Sequence, residues 1–268
     1  MKKFIAAFAS FAICATLMAG CGAKIPANTV FKADDLANKK IGVQLGTTGD
    51  IYASGDFDGK DGHPSATVEQ FKGGHEAVLS LSQGKLDAVI IDNEPAKVFV
   101  KQNKGLKILD EEYISEDYAL CIKKGSELTS KINAALRDLK ADGTIDKILK
   151  NYIGDDTTVG KNPYKSPEGI QRNGKLIMAT NAAFPPYEYM QGENIVGIDA
   201  DIAQAVADKL GMSLEINNMD FDAIIGAVTA GKADFGAAGM TVTDVRKKSV
   251  DFTDSYATGK QVIIVREK

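Results

Sequence analysis

The stretch "AVLSLSQGKLDAVIID" at residues 77–92 has a counterpart later in the chain, "AIIGAVTAGKADFGAAG" at 223–239, and this repeated unit decides the fold. In each copy a helical pattern ends at a glycine, Gly84 or Gly231, and an apolar strand follows. A unit that occurs twice in one chain predicts two similar lobes.

A lone strand precedes each copy, "KKIGVQ" at 39–44 and "KLIMAT" at 175–180. Strands that alternate with amphipathic helices are typical of parallel α/β sheets. The apolar spacing of residues 197–211 predicts one such helix, and residues 129–154 predict a helical hairpin broken at Gly143. The sequence therefore predicts two Rossmann-like α/β lobes.

The first 20 residues have the layout of a secretory signal. Lys2 and Lys3 precede an apolar run that ends at Met18, and small residues follow. The run is short for a membrane span. The letters "LMAGC" resemble the lipobox of bacterial lipoproteins, which predicts lipidation of Cys21; an ordinary cleaved signal with a free thiol is the alternative.

Composition and residue spacing argue against nucleic-acid partners, disulfides, metals and cofactors. The formal charge is -4 and there is no dense basic cluster, so no nucleic-acid partner is predicted. Cys14, Cys21 and Cys121 give no disulfide framework, and Cys121 reads as a small buried residue. His63 and His75 have no partners at metal-ligand spacing, so neither metal nor cofactor is expected.

Ligands of open α/β sheets bind at the carboxyl ends of the strands, where several polar residues of this chain fall. Arg246 could pair with a carboxylate, but its spacing alone favours a surface residue beside Lys247 and Lys248. Asp92 could accept an ammonium group or cap a helix. The turn "QLGTTGD", from Gln44 onward, could bind an anion through its N–H groups and hydroxyls.

Five blocks of sequence carry a resemblance to a known family. They are "MATNAAFPPYEY", "VGIDADIAQAVADKLG", "MDFDAIIGAVTAGKADFGAAGMTVTDVRKKSVDFTDSYATGKQVIIV", "KKIGVQLGTTGDIYA" and "GKLDAVIIDNEPA". The chain resembles the amino-acid-binding lipoproteins of ABC importers, the bacterial extracellular solute-binding proteins of family 3, over residues 29–154 and 174–268. This resemblance implies a type II periplasmic-binding-protein fold.

The blocks stand in a different order from that of the family, so the chain resembles a circular permutant. The resemblance implies a signal peptide, a lipid-anchored tether, two lobes, two hinge segments that join them, and a polar linker. The predicted boundaries are signal 1–20, tether 21–33, lobe 2 34–113 and 261–268, hinges 114–117 and 256–260, lobe 1 118–154 and 174–255, and linker 155–173. Residues 261–265 are accordingly expected to add a strand to lobe 2.

The resemblance also implies roles for individual residues. Arg246 would hold the ligand carboxylate, with Gly239 and Thr241 beside it, and Asp92 would accept the ammonium group. The remaining predicted ligand contacts are Gln44, Thr47, Thr48, Asn181, Phe184 and Phe221. The two phenylalanines would flank the ligand side chain, and a purely structural role in the core is the less favoured alternative.

The function implied by the resemblance is binding, not catalysis. The expected protein is an exported, lipid-anchored monomer that closes on an amino acid and passes it to an ABC permease. Because an acid often occupies the position of Asn181 in binders of cationic ligands, an uncharged polar side chain such as that of glutamine is favoured. Arginine is the alternative ligand, since its guanidinium can stack on phenylalanine. A cyclohexadienyl-dehydratase-like lyase and a ligand sensor are the competing functions.

Overall fold

Two large sheets flanked by helices, together with a small third sheet, make up the structure, a computed structural model that describes residues 24–55, 63, 65–111, 114–154 and 159–267. The α/β class predicted from the repeated unit is confirmed. The predicted signal peptide and Cys21 lie outside the described residues, as do residues 155–158 of the predicted linker.

The first sheet has six strands in the order β2-β1-β3-β14-β4, and β5 also pairs with β14. Its strands are β1 (Lys40–Gln44), β2 (Thr67–Phe71), β3 (Ala88–Asp92), β4 (Leu106–Ile108), β5 (Ile114–Tyr118) and β14 (Ala257–Arg266). The helices that accompany it are α1 (Thr48–Ser54), α2 (Gly74–Ser82) and α3 (Asn93–Gln102), after a short 3-10 turn at Ala33–Leu36. We call this unit the six-stranded half.

The second sheet has five strands in the order β11-β7-β12-β6-β13. Its strands are β6 (Cys121–Lys123), β7 (Lys175–Thr180), β11 (Ser213–Asn218), β12 (Phe235–Gly236) and β13 (Val250–Phe252). The helices with it are α4 (Leu128–Ala141), α5 (Thr144–Tyr152), α6 (Ile198–Lys209), α7 (Ile224–Thr229) and α8 (Asp244–Lys247), with a 3-10 turn at Phe221–Ala223. A small antiparallel sheet of β8 (Ala183–Phe184), β9 (Glu188–Gln191) and β10 (Asn194–Val196) joins them in what we call the five-stranded half.

The two copies of the repeated unit fold through the same hydrogen bonds. In the first copy, the backbone N–H of Asp87 donates to Lys40 O at 2.8 Å, and Lys40 N donates to Asp87 Oδ2 at 2.9 Å. In the second copy, Asp234 N donates to Ile177 O at 2.8 Å, and Ile177 N donates to Asp234 Oδ2 at 2.7 Å. Each aspartate thus joins the strand that follows the helix to the neighbouring parallel strand.

The chain passes between the halves twice, along neighbouring strands. Strand β5 leads into β6, and β13 leads into β14, whose first residues pair antiparallel with β5 from Ala257↔Tyr118 to Gln261↔Ile114. The predicted hinge segments at 114–117 and 256–260 therefore lie beside each other. Beyond this ribbon, β14 continues into the six-stranded sheet and pairs with β3 over Gln261 to Val265.

The helices predicted from apolar spacing are present in the structure, and their apolar faces are buried. The predicted hairpin forms α4 and α5, and Gly143 between them has a left-handed φ of 76°, which favours glycine. Ile132 and Leu136 are fully or almost fully buried, whereas Leu149 is only partly buried against the same core. Cys121 is buried as predicted, and its burial raises the pKa of the thiol to about 12.

Two segments without helix or strand are fixed to the halves by polar contacts. Part of the predicted tether packs on the six-stranded half, where Arg266 donates to Ile25 O at 2.8 Å and to Pro26 O at 3.1 Å. In the predicted linker, Arg172 pairs with Asp208 of α6 at 2.6 Å. Among the described residues, none of the helices has both the length and the apolar character needed to cross a membrane.

Strand β14 provides a test of how much the end of the chain contributes to stability. Ile264 is fully buried, and it lies opposite Val89 on one side and Ile108 on the other. We expect Ile264→Ala to lower the free energy of unfolding by about 2–5 kcal/mol, because it leaves a cavity in a packed core. Denaturant unfolding measures the change, and Glu267→Ala, on an exposed side chain of the same segment, is the control. Equal stability of the two variants would contradict a central position for β14.

Candidate functional site

A pocket lies between the two halves, at the carboxyl ends of β1, β3, β7 and β12. Its lining consists of Gln44, Thr47, Thr48, Asp92, Asn181, Phe184, Phe221, Ala238, Gly239, Thr241 and Arg246. All ten residues that the sequence predicted as ligand contacts are thus brought together, with Ala238 in addition. Their roles in binding stay predictions.

Arg246 is buried at the pocket rather than exposed beside its basic neighbours. Its side chain is in a residue only 6% exposed, while Lys247 and Lys248 are exposed. It lies in α8, which Thr243 caps by accepting the backbone N–H of Arg246 at 3.1 Å. The surface interpretation of Arg246 is therefore wrong.

The guanidinium of Arg246 contacts both halves. One nitrogen donates to Thr241 O at 2.7 Å in its own half, and the other donates to Gly46 O at 3.0 Å in the six-stranded half. The guanidinium carbon lies 5.4 Å from the ring centre of Phe221, within cation–π range. Burial lowers the pKa of Arg246, and the charge of Glu116 acts in the opposite direction.

Asp92 faces Arg246's pocket from the end of β3. It precedes α3 in the N-cap position but makes no side-chain capping hydrogen bond, so the helix-capping alternative is wrong. Its carboxyl instead accepts a hydrogen bond from the Tyr118 hydroxyl. Burial, together with the charge of Glu116, raises the pKa of Asp92 to about 7. A cation at this place would stabilise the ionised carboxylate and so lower its pKa.

The turn between β1 and α1 uses several of its own donors internally. Gly46 N donates to Asp50 Oδ2 at 2.9 Å, and the Thr47 hydroxyl donates to Gln44 O at 2.7 Å. Thr47 also caps α1 by accepting from Asp50 N at 3.4 Å. The turn is thus organised by side-chain and capping contacts, and only part of the predicted anion-binding surface is free of them.

Polar side chains connect the halves across the pocket. Gln44 Nε2 donates to Asn181 Oδ1 at 2.9 Å, and Asn181 Nδ2 donates to Met219 O at 2.8 Å. Outside the pocket, Lys72 pairs with Asp220 at 2.7 Å between exposed side chains. These contacts hold the carboxyl ends of the two sheets close together.

Phe184 belongs to the pocket wall and to the core at once. It is 6% exposed and stacks on Tyr187, with ring centres 5.7 Å apart. Gly239 passes so close that an added Cβ would lie 2.6 Å from the Phe184 ring, and its φ is 51°. The position therefore requires glycine.

Two buried acids, Asp199 and Glu188, lie near the Gly239 loop. Asp199 Oδ2 accepts the Gly239 N–H at 2.8 Å, and burial raises the pKa of Asp199 to about 6. Glu188 is fully buried, and burial and the nearby Asp199 raise its pKa well above the usual range. Asp199 supports the loop from behind, and neither acid lines the pocket.

Sequence reasoning missed Glu116, which is buried behind the pocket and carries four hydrogen bonds. A signal for it exists in "ISEDY" at 114–118. Side chains alternate along a strand, so Glu116 shares a face with Tyr118 and points inward with it. A carboxylate on the buried face of a strand is unusual, because its burial is costly unless hydrogen-bond donors surround it.

Comparison with known proteins finds relatives for one part of the chain. Residues 176–268 match the bacterial extracellular solute-binding proteins, family 3. The arginine-binding extracellular protein ArtP of Bacillus subtilis (strain 168) is 44% identical over 93 residues, which cover 35% of this chain and 36% of that protein. The ABC transporter glutamine-binding protein GlnH of the same organism is 35% identical over 94 residues, covering 35% of this chain and 34% of that protein.

A solved structure is similar over a share of the chain of the same size. The arginine-bound form of domain 1 from TmArgBP is 37% identical, with a TM-score of 0.31, and the match covers 35% of this chain and 81% of that one. The chain thus spans about a third of the length of the curated relatives it matches.

The surroundings of Asp92 generate a prediction with two opposite signs. Tyr118→Phe removes a hydrogen bond that favours the carboxylate, so we expect the pKa of Asp92 to rise above about 7. Glu116→Gln removes a nearby negative charge, so we expect the pKa to fall. Carboxyl carbon chemical shifts followed by NMR against pH measure both. Shifts of the same sign in the two variants would contradict this account of the site.

Proposed function

We propose that this chain, whose residues 176–268 match the bacterial extracellular solute-binding proteins of family 3, is the substrate-binding component of an ABC importer for an amino acid. The observation that carries the proposal is the arrangement of charge in the pocket. Arg246 comes from the five-stranded half and Asp92 from the six-stranded half, and both line the same pocket.

The two charges suit the two ends of a zwitterion. The carboxylate of an amino acid would accept hydrogen bonds from Arg246, whose planar guanidinium can donate two at once. Its ammonium group would donate to Asp92. Because an unpaired buried ion is costly, a ligand that supplies both partners binds far better than one that supplies a single charge.

The position of the site between two halves gives the mechanism of capture. A ligand that bridges Arg246 and Asp92 contacts both halves only when these are close together. It therefore binds the closed arrangement preferentially and shifts the population toward it. The ribbon of β5 and β14, where the chain crosses between halves, would act as the hinge.

The ligand side chain is proposed to be polar and uncharged, as in glutamine. Two amides, Gln44 and Asn181, line the pocket and can each both donate and accept. Arginine is the alternative, because Phe221 already lies under one guanidinium and presents an aromatic wall to the pocket. Relatives named for arginine binding and for glutamine binding both match residues of this chain.

A lyase of the cyclohexadienyl dehydratase type is the competing function of a different class. The charged residues that line the pocket are Asp92 and Arg246, and both are used by the zwitterion in the binding model. Binding is therefore favoured over turnover. Incubating the protein with candidate substrates and following them by NMR would reveal any product.

Partners and location follow from the proposed class. The permease of an ABC transporter would receive the amino acid, and a lipid on Cys21 would hold the protein, as a monomer, at the outer face of the cell membrane. No nucleic-acid partner, metal or cofactor is proposed. We also infer a circular permutation, which is supported by the pairing of β14, from the end of the chain, with β3 and β4 from its first half.

The charge model predicts large losses of affinity from single substitutions. We expect Arg246→Ala and Asp92→Ala each to cost about 2–5 kcal/mol of binding free energy, roughly thirtyfold to several thousandfold in Kd, because each leaves a ligand charge buried and unpaired. Calorimetric titration with the twenty amino acids identifies the ligand on the wild type and then measures both variants.

Two exposed residues provide matched controls for these substitutions. Arg137→Ala and Asp138→Ala remove the same charges from the surface of α4 and should leave Kd unchanged. Wild-type affinity in both pocket variants would overturn the charge model, and no binding to any amino acid by the wild type would overturn the proposed function itself.

The raised pKa of Asp92 predicts that affinity depends on pH. In the free protein this carboxyl is protonated below about pH 7, and an ammonium group would lower its pKa by stabilising the charged form. Binding should therefore be tightest above pH 7, weaken by up to about tenfold per pH unit below it, and release a proton near neutrality. Calorimetry in buffers of different ionisation enthalpy counts that proton. Asp199→Asn, at an acid that titrates near 6 outside the pocket, should keep the inflection near pH 7.

A further inference from the structure

Glu116 lies on one hinge strand and accepts hydrogen bonds from both halves and from the other hinge strand. It lies on β5, and its residue is only 5% exposed. Its Oε2 accepts from the Thr48 hydroxyl at 2.9 Å and from the Thr241 hydroxyl at 2.9 Å. The same oxygen accepts from Gln261 Nε2 at 3.0 Å. Thr48 belongs to the six-stranded half and Thr241 to the five-stranded half, while Gln261 lies on the other hinge strand.

This arrangement depends on how the halves are placed. Two hydroxyls from opposite halves can reach one oxygen only while the halves are as close as they are here. Any opening that separates Thr48 from Thr241 breaks at least one of these bonds and leaves a buried carboxylate with fewer donors. Hydrogen bonds to a charged group are among the stronger ones in proteins, so this loss favours the closed arrangement.

The bonds also fix the hydroxyls that line the pocket. A threonine hydroxyl has one proton to donate, and both Thr48 and Thr241 donate theirs to Glu116. Thr48 Oγ1 also accepts from Gln261 Nε2 at 3.2 Å, so what the two hydroxyls can still offer a ligand is their remaining acceptor capacity. Glu116 itself does not line the pocket, so it acts on a ligand through the two threonines.

We propose that Glu116 is a positioning residue that latches the two halves together in the closed arrangement and holds the pocket hydroxyls of Thr48 and Thr241 as acceptors. This inference rests on the proposed amino-acid-binding function. It assigns part of the affinity to a side chain that no ligand touches. The latch is complete only when both threonines reach the same oxygen.

The test is a double-mutant cycle measured by calorimetry with the amino acid that the wild type binds best. Glu116→Gln keeps the shape of the side chain but places a donor where a shared acceptor stood, and we expect it to raise Kd roughly ten- to a hundredfold. Thr241→Val removes the hydroxyl through which the five-stranded half donates to Glu116. In the Thr241→Val background, Glu116→Gln should cost clearly less than it does alone, because the connection it weakens is already broken.

A matched threonine outside the latch separates this role from general stability. Thr253 is buried, donates to Asp254 O at 2.9 Å and lies outside the pocket lining. Thr253→Val should lower the melting temperature while leaving Kd unchanged. Thermal unfolding of every variant shows that each one folds.

The outcomes distinguish the latch from the function on which it rests. If the wild type binds an amino acid but Glu116→Gln binds it equally well, or if the effects of Glu116→Gln and Thr241→Val simply add, the latch is wrong and the binding function stands. If the wild type binds none of the twenty amino acids, the proposed function fails first and the latch falls with it. A non-additive cycle together with an unchanged Kd in Thr253→Val supports the latch.

Discussion

Burial of charge at the junction of two sheets is the constraint on which the rest of the structure depends. Arg246, Asp92 and Glu116 are each at most 6% exposed, so none can rely on water for its hydration. Each must instead find partners among the residues that the two halves bring together. This requirement explains why polar side chains, such as those of Gln44 and Asn181, connect the halves across the pocket, although an apolar cluster also extends through both halves.

The repeated unit provides the rigid frame for these charges. In each half, an aspartate at the start of a strand fixes that strand to its parallel neighbour through two hydrogen bonds. Parallel strands end at the same edge, so both sheets present their carboxyl ends, and the polar loops that follow them, to the same pocket. The ribbon of β5 and β14, where the chain crosses between the halves, lies beside this junction.

Much of the fold and of the pocket could be predicted from residue patterns and from the resemblance. The features that could not be predicted were missed for a physical reason. The helices and the parallel strands could be predicted from local patterns along the chain. The ten pocket residues could be predicted because they lie at or after the ends of those strands. Glu116 was missed because the significance of an inward-facing acid depends on donors at positions 48, 241 and 261, which are far apart in sequence. The surface and capping alternatives for Arg246 and Asp92 could not be dismissed before burial and hydrogen bonds were known.

The sequence by itself determined the local elements: the strands, the glycines that end the helices, the aspartates that begin the buried strands, and the polar residues placed just beyond them. Periodicity and turn chemistry act over a few residues, so they can be read without knowledge of neighbours. Only the tertiary structure decided which charges are buried and which donors converge on one oxygen. Hydrogen bonding at Glu116, for example, depends on Thr241 and Gln261, which lie more than a hundred positions away along the chain.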